Sequence, residues 1–236
     1  MGKEIGIIMA AGLGARMYPL TEHTPKPLVR VHGIPMIETV IGGLQSRGIS
    51  EIHVVVGHLQ EQFEYLTEKY RGIGLIRNPE YQSKNNISSL YAAGGILGSA
   101  DCFICEADLY ISDYAIFQGP MERSCYFGKW VDGFSDDWVF EVDQDNRILH
   151  IGVGGSDTFN MAGIAYMKAE DARVIADAIR KEYQQPGHES LFWDEVVDRL
   201  LGTLSIGIHQ VGRSQITEID TVEELDRINR EYGDSQ

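Results

Sequence analysis

The amino-acid sequence predicts an α/β fold, in which a mixed, mostly parallel sheet with flanking helices forms a single domain. Residues 4–9 form a short apolar run that opens into a glycine-containing turn, as a buried parallel strand does. Strand-like segments then alternate with helical ones over about the first 110 residues, which indicates repeated βαβ crossovers. A chain of 236 residues with 43% hydrophobic residues is long enough to bury such a sheet.

The first half of the chain supplies the parallel strands and their crossover helices. The helix predicted at 35–44 has Pro35 in its first turn, apolar side chains along one face, and Gly48 beyond its end. By the same criteria we expect strands at 52–56, 74–77 and 101–107, and helices at 59–70 and 87–97. Sheets of this kind bind their ligands beyond the carboxyl ends of the strands.

The second half of the chain has a different pattern. Residues 125–167 read as strands joined by short polar turns, which favours antiparallel additions to the sheet. The remaining segments predict helices at 169–183 and 192–201, a strand at 205–211 and a last helix at 222–232. No internal repeat or linker divides the chain, so residues 1–236 are interpreted as one domain.

Charge and composition exclude several classes of protein. The net charge of −15 opposes general nucleic-acid binding, because a polyanion is repelled over most of the surface. The apolar stretches are far shorter than the roughly 20 residues of a membrane-spanning helix. Three cysteines are an odd number, and Cys102 and Cys105 fall on opposite faces of a predicted strand, so we expect buried thiols in a cytoplasmic protein.

The turn after the first strand is the first candidate site. Small residues there let the backbone approach a ligand, and several N–H groups can point at phosphate oxygens. Arg16 follows the turn, and Lys26 lies a short loop away between two prolines that restrict its backbone. A structural tight turn and a solvated lysine are the alternatives. Together, two cations and a glycine loop indicate a triphosphate site, whose loop residues are Ala10, Ala11, Gly12, Leu13 and Gly14.

These segments resemble a known family. MAAGLGAR at 9–16 and PKPL at 25–28 resemble the signature of the sugar-phosphate nucleotidyltransferase superfamily. NNISSLY at 85–91, EAD at 106–108, FWD at 192–194 and EID at 218–220 resemble the bacterial CTP:phosphocholine cytidylyltransferases. The resemblance covers nearly the whole chain. It implies a Rossmann-like sheet of the nucleotide-diphospho-sugar transferase type, with a nucleotide-binding half at about 1–110 and an acceptor-binding half at about 111–236.

The resemblance also implies a magnesium site and a catalytic set. Asp108 and Asp220 would be the Mg²⁺ ligands, and Arg16 and Lys26 would hold the triphosphate. Carboxylates combined with phosphate oxygens are the ligands that Mg²⁺ prefers, so the assignment is also chemically reasonable. The alternative for Asp220 is a helix N-cap. Glu106 and Glu218 are weaker candidates for supporting the metal.

Base recognition is assigned to a polar loop in the same way. The resemblance implies that Asn85, Asn86 and Ser88 contact the cytosine, together with the glycine loop. An Asn-Asn-Ser run before a helix is also an ordinary N-terminal cap.

The second substrate is assigned to the aromatic residues of the second half. Lys129 would contact the acceptor phosphate, and the cation-binding residues would be Trp138, Phe192, Trp193 and Asp194. A quaternary ammonium group donates no hydrogen bonds, so aromatic faces and a carboxylate suit it. Phe192 and Trp193 begin an amphipathic helix, and ordinary core packing is the alternative for both.

We therefore expect a Mg²⁺-dependent enzyme that converts CTP and phosphocholine to CDP-choline and diphosphate. Val131 stands where the family has a basic residue, which leaves other phosphorylated or phosphonate acceptors open: 2-aminoethylphosphonate, phosphoethanolamine or a sugar 1-phosphate. A catalytically silent nucleotide-sensing module is the alternative from another class, although Arg16, Lys26, Asp108 and Asp220 are all intact. The oligomeric state stays open, with a homo-oligomer as one option.

Overall fold

The computed structural model describes residues 2–233. Its strands are β1 (Glu4–Ala10), β2 (Arg30–Val31), β3 (Ile34–Pro35), β4 (Ile52–Val56), β5 (Ile73–Arg77), β6 (Asp101–Glu106), β7 (Leu109–Ile111), β8 (Cys125–Val142), β9 (Ile148–Met167), β10 (Gly207–Gln210) and β11 (Ile216–Glu218). Its α-helices are α1 (Met36–Ser46), α2 (Tyr65–Lys69), α3 (Ile87–Ala93), α4 (Ala169–Glu182), α5 (Trp193–Asp198) and α6 (Val222–Gly233).

Seven strands form one mixed sheet in the order β10-β8-β9-β6-β1-β4-β5. The strands β1, β4, β5 and β6 are mutually parallel, whereas β9 is antiparallel to both β6 and β8. In the central register Gly6 lies opposite Ile52 on one side and Phe103 on the other. The predicted α/β class with a mostly parallel sheet and antiparallel additions is confirmed.

Apolar side chains cover both faces of the sheet. The helices α1 and α2 pack on one face, and α3, α4 and α5 pack on the other. The helix α6 contributes to a third, smaller cluster with Met17 and Val31. Cys102 and Cys105 are buried in different clusters on opposite faces, as their spacing predicted. Within residues 2–233, no helix combines the length and apolar character that a membrane crossing requires.

Three predicted elements differ in extent. The segment 59–70 forms a 3₁₀ turn at Gln60–Phe63 followed by the short α2, because Leu59 adopts a positive φ of 47°. The helix α3 ends at Ala93, before Gly94 at φ 55° and a 3₁₀ turn at Gly94–Ile96. The region 125–167 is two long, bulged strands, β8 and β9, rather than several short ones.

The two-stranded ribbons β2-β3 and β7-β11 were not predicted. Strands of two or three residues carry too few positions to show an alternating pattern. The β7-β11 ribbon matters for function, because it pairs Leu109 with Glu218 and so brings two distant acidic segments together.

Candidate active site

The glycine turn lies at the carboxyl end of β1, as expected from the sequence. Gly14 adopts φ 64°, and a Cβ atom there would lie 2.8 Å from the Cβ atom of Lys26. The Oγ1 hydroxyl of Thr21 donates to the carbonyl oxygen of Gly14 at 2.9 Å. Because Gly14 has no side chain, the turn can pack directly on the lysine segment.

Lys26 is held between two carboxylates. Its Nζ atom lies 2.5 Å from Asp108 Oδ2 and 2.6 Å from Asp220 Oδ1, and only 8% of its side chain is exposed. Arg16 also reaches Asp220, with 2.7 Å between Nη2 and Oδ1. Burial alone would lower the pKa of Lys26, but the two aspartates raise it above its ordinary value. Lys26 is therefore a fixed positive charge in the site.

Two further acidic residues surround this lysine. Glu106 ends β6 and Glu218 ends β11, and carboxylate oxygens of Glu106, Asp108 and Glu218 all lie within 4.8 Å of one another. Burial, and then the neighbouring carboxylates, raise the pKa values of Glu106 and Glu218 above the usual range. So much negative charge in a small volume favours an added cation.

Asp220 does not serve as the cap of α6. Glu224 N–H donates to Thr221 Oγ1 at 3.2 Å, and Glu224 Oε2 accepts from the N–H groups of Asp220 and Thr221 at 2.8 and 3.1 Å. This reciprocal pattern is a capping box, which the sequence Thr-x-x-Glu could have revealed. The Asp220 carboxylate faces Lys26 and Arg16 instead.

These groups line a single cleft with a cavity volume of about 600 Å³. The predicted residues that line it are Ala10, Ala11, Gly12, Leu13, Gly14, Arg16, Lys26, Asn85, Asn86, Ser88, Asp108, Trp138, Phe192, Asp194 and Asp220. The cleft thus joins the glycine turn, the acidic cluster and part of the predicted acceptor site.

The polar loop before α3 has protein partners of its own. Asn85 Nδ2 donates to Ser190 O at 3.2 Å, and Asn86 Oδ1 accepts from Trp193 N at 2.9 Å. Ser88 is buried, and its Oγ donates to the carbonyl oxygen of Asn85 at 2.8 Å. These bonds tie the loop to the segment that leads into α5, so the two halves of the chain meet at Asn85 and Asn86.

Two predicted acceptor residues lie outside the cleft wall. Trp193 is 3% exposed and stacks on Tyr126 in the core, with ring centroids 5.5 Å apart, so it does not line the cleft in which the acceptor is expected. An amphipathic helix turns its apolar face inward, and Trp193 lies on that face with Val196 and Val197. Lys129 is half-buried on β8, where burial lowers its pKa while Glu218 and Asp137 act in the opposite direction.

The remaining predicted acceptor residues, Trp138, Phe192 and Asp194, all line the cleft. Trp138 and Phe192 form an edge-to-face pair at 5.3 Å and 61°. Asp194 is buried beside them at 3% exposure, and its Oδ1 accepts from Tyr126 Oη at 3.1 Å. Asp137 also lines the cleft. This end of the cleft therefore combines one aromatic pair with carboxylates.

Sequence reasoning gave no role to several residues of the cleft wall, among them Tyr81 and Lys84. The Nζ atom of Lys84 lies 2.5 Å from Glu80 Oε1 and 4.1 Å from the ring centroid of Tyr183. The Glu80 to Lys84 spacing was a signal for the ion pair, but a fold was needed to place Lys84 at the cleft.

Comparison with known proteins agrees with this geometry. The model of the MobA-like NTP transferase domain matches residues 6–123. A 2-aminoethylphosphonate cytidylyltransferase from Lancefieldella rimae is 52% identical over 98% of this chain and 94% of its own length. A choline-phosphate cytidylyltransferase from Streptococcus pneumoniae is 34% identical over 94% of this chain and 95% of its own.

A solved structure extends the likeness to the whole fold. The CTP:phosphocholine cytidylyltransferase from Streptococcus pneumoniae superposes with a TM-score of 0.90 at 33% identity, covering 98% of this chain and 99% of that one. On the family model, the curated relatives and this superposition, this chain belongs to the MobA-like NTP transferase domain family, as a nucleotidyltransferase of the cytidylyltransferase type.

Proposed function

We propose that this protein transfers the cytidylyl group of CTP to 2-aminoethylphosphonate. A phosphonate oxygen attacks the α-phosphorus, a new P–O–P link forms, and the bond to the β-phosphate oxygen breaks to release diphosphate. The attacking oxygen is already anionic, so the reaction needs alignment and charge neutralisation rather than a protein nucleophile. The relative from Lancefieldella rimae, 52% identical, supports this choice of acceptor.

The observation that carries the proposal is the composition of the acceptor end of the cleft. A primary ammonium group donates hydrogen bonds that carboxylates accept, whereas a quaternary one donates none and is held chiefly by aromatic faces, with a carboxylate only as a counter-charge. Asp194 and Asp137 line this end of the cleft, and Trp193 is withdrawn into the core. Trp138 and Phe192 supply an aromatic wall rather than a cage. This balance favours an amine over a trimethylammonium group.

We assign the triphosphate of CTP to the end of the cleft opposite the acceptor. The turn 10–14 offers backbone N–H groups at the end of β1, and Arg16 and Lys26 add positive charge beside them. In this role the two side chains hold the phosphates of CTP and offset the negative charge on the departing diphosphate. Lys129 lies behind the cleft wall, close enough to Glu218 and Asp137 to interact with both, and would contact the phosphonate of the acceptor by turning its side chain into the cleft. Among the described residues it has no ion pair of its own.

A Mg²⁺ ion forms part of the proposal, and the residues present fit one. Asp108 and Asp220 would hold it, with Glu106 and Glu218 beside them, because four carboxylates offer the hard oxygen ligands that Mg²⁺ prefers. The position of Lys26 between the two aspartates indicates that the gap suits a positive charge. When bound, the ion would neutralise phosphate charge and orient the reacting groups.

Phosphocholine is the second candidate acceptor. The edge-to-face pair of Trp138 and Phe192 lines the cleft and could contact one side of a trimethylammonium group. The relative from Streptococcus pneumoniae, 34% identical, favours it as well.

Diphosphate release tests the proposal directly. We would assay the four nucleoside triphosphates with Mg²⁺ against 2-aminoethylphosphonate, phosphocholine, phosphoethanolamine and glucose 1-phosphate. We expect release with CTP and 2-aminoethylphosphonate, at a kcat/KM at least tenfold above that with phosphocholine. A preference for phosphocholine would transfer the assignment to the second candidate. No release with any pair would instead support a catalytically silent nucleotide-binding module, which CTP binding without turnover would then identify.

A further inference from the structure

Asp194 is a buried carboxylate without a cationic partner. It is 3% exposed, lines the cleft and lies in the first turn of α5. Within the described residues 2–233 it takes part in no ion pair. A buried charge is costly unless it is paired or well hydrogen-bonded, so its partners decide whether it can serve a ligand.

Tyr126 is the partner with the best-defined geometry. Its hydroxyl donates to Asp194 Oδ1 at 3.1 Å, while the ring is 1% exposed and does not line the cleft. The ring stacks on Trp193 at 5.5 Å and 23° and packs against Phe140 at 5.2 Å. Because aromatic neighbours fix the ring, the hydroxyl has a fixed direction.

The backbone that carries Asp194 is held as well. Trp193 N–H donates to Asn86 Oδ1 at 2.9 Å, and Glu195 Oε2 accepts from Phe192 N–H at 2.7 Å. Both bonds hold the first turn of α5 in place. The helix has 6 residues and is too short to be stable by itself. With this backbone held, Oδ1 of Asp194 accepts the hydrogen bond from Tyr126.

We propose that Tyr126 is a positioning residue, whose hydroxyl orients the Asp194 carboxylate toward the ammonium group of the acceptor. Tyr126 acts through Asp194 and makes no contact with the substrate. This role rests on the proposed function, because it requires an acceptor with a hydrogen-bonding ammonium group.

The Tyr126 hydroxyl also affects the protonation of Asp194. Burial raises the pKa of Asp194 to about 7, while hydrogen bonds from Tyr126 and Asn86 act in the opposite direction. Without the hydroxyl, the carboxylate would lose both its orientation and part of the stabilisation of its charged form. Core packing alone would predict neither loss.

The test is Tyr126→Phe, which keeps the ring and removes only the hydroxyl. The KM for 2-aminoethylphosphonate would be compared with the inhibition constant of ethylphosphonate, which has the same phosphonate but no amine. We expect the KM to rise about tenfold, the effect of losing one hydrogen bond to a charged group. The ethylphosphonate constant and the KM for CTP should stay within about twofold.

Tyr166→Phe is the matched control. Tyr166 is also buried, and its hydroxyl lies 3.0 Å from Asp101 Oδ2 and 3.2 Å from Glu4 Oε1, at the amino ends of β6 and β1, where it donates its one hydrogen to either carboxylate. The Tyr166→Phe variant should lower the melting temperature about as much as Tyr126→Phe does. It should leave the KM for 2-aminoethylphosphonate and the inhibition constant of ethylphosphonate unchanged. If Tyr126→Phe changes only the melting temperature, or weakens both phosphonates equally, Tyr126 has no positioning role.

Asp194→Asn separates this inference from the proposed function. A raised KM for 2-aminoethylphosphonate in Asp194→Asn, with wild-type behaviour in Tyr126→Phe, would overturn the role of Tyr126 and leave the amine contact intact. No change in either variant would overturn the amine contact and the positioning role together, while CTP-dependent diphosphate release would still establish the cytidylyltransferase.

Discussion

The Nζ atom of Lys26 lies 2.5 Å from Oδ2 of Asp108. The same atom is 2.6 Å from Asp220 Oδ1, so one lysine joins two carboxylates that are far apart in the sequence. A lysine in this place neutralises charge that would otherwise be repulsive. It also occupies the space in which a metal ion shared by the two aspartates would lie, so removing its charge should alter how the cleft binds cations.

Lys26→Met should therefore strengthen the binding of Mn²⁺, as a probe for Mg²⁺, in the absence of nucleotide. We expect an affinity at least about tenfold higher than in the wild type, because the competing ammonium group is gone. Electron paramagnetic resonance of free Mn²⁺ measures this directly. Lys84→Met is the control, since Lys84 lines the same cleft but pairs with Glu80. Equal Mn²⁺ affinity in Lys26→Met and the wild type would show that the lysine does not compete.

Asp108→Asn and Asp220→Asn should each lower kcat by about 100-fold or more, because each would remove one charged ligand of the proposed Mg²⁺ ion without changing the shape of the side chain. Diphosphate release with CTP and 2-aminoethylphosphonate over a range of Mg²⁺ concentrations measures the loss. Asp177→Asn is the control, as Asp177 is exposed on α4 and pairs with Arg180. Near wild-type turnover of both Asp108→Asn and Asp220→Asn at saturating Mg²⁺ would show that these aspartates do not hold the metal ion.

Gly14→Ala should destabilise the fold. The residue would have to adopt φ 64° and place its Cβ atom 2.8 Å from that of Lys26, at a cost of about 1–3 kcal/mol. Urea unfolding measures the change in free energy. Gly12→Ala makes a matched comparison, because a Cβ atom there meets nothing within 4 Å, and it should leave stability nearly unchanged. Similar stabilities for the two variants would indicate that the turn rearranges without strain.

The buried Asp194 should make stability depend on pH. Its pKa rises from an ordinary 3.8 to about 7, so the folded protein binds a proton more tightly than the unfolded chain. The stability from this group is complete below about pH 4 and is lost as the pH rises through about 7, by up to about 4 kcal/mol. Urea unfolding at pH 5 and pH 8 should therefore show a smaller loss in Asp194→Asn than in the wild type.

A pH dependence that is identical in Asp194→Asn and the wild type would mean that the carboxylate is ionised at both pH values. Asp177→Asn should match the wild type throughout, which controls for the removal of one negative charge from the surface.

Local pattern was sufficient to predict much of this molecule. The residues at 4–9 and 52–56 are mostly apolar and rich in isoleucine or valine, and they are found in β1 and β4. The glycine turn, Lys26 and the aspartates were placed by chemistry and by resemblance together. These features were predictable because each depends on residue type and short spacing.

Other features depend on packing between segments that are far apart in the sequence. A short stretch of sequence cannot show such contacts. Trp193 was expected in the acceptor site, but the face that α5 turns toward Tyr126 is set by β8 and by Asn86. Tyr126 itself looked like any aromatic residue in a strand. Its bond to Asp194 exists only because β8 and α5 meet in the folded chain.

The pairing of β7 with β11 has a consequence for biosynthesis. Residue 218 is joined to residue 109 only after the chain has been made almost to its last helix, and Asp220 follows directly. A nascent chain that has reached Asp108, and so carries β1, the glycine turn and Lys26, still lacks Glu218 and Asp220. On the roles proposed for Glu218 and Asp220, transfer chemistry would begin only once synthesis has passed Asp220, and unfinished chains on the ribosome would not consume CTP.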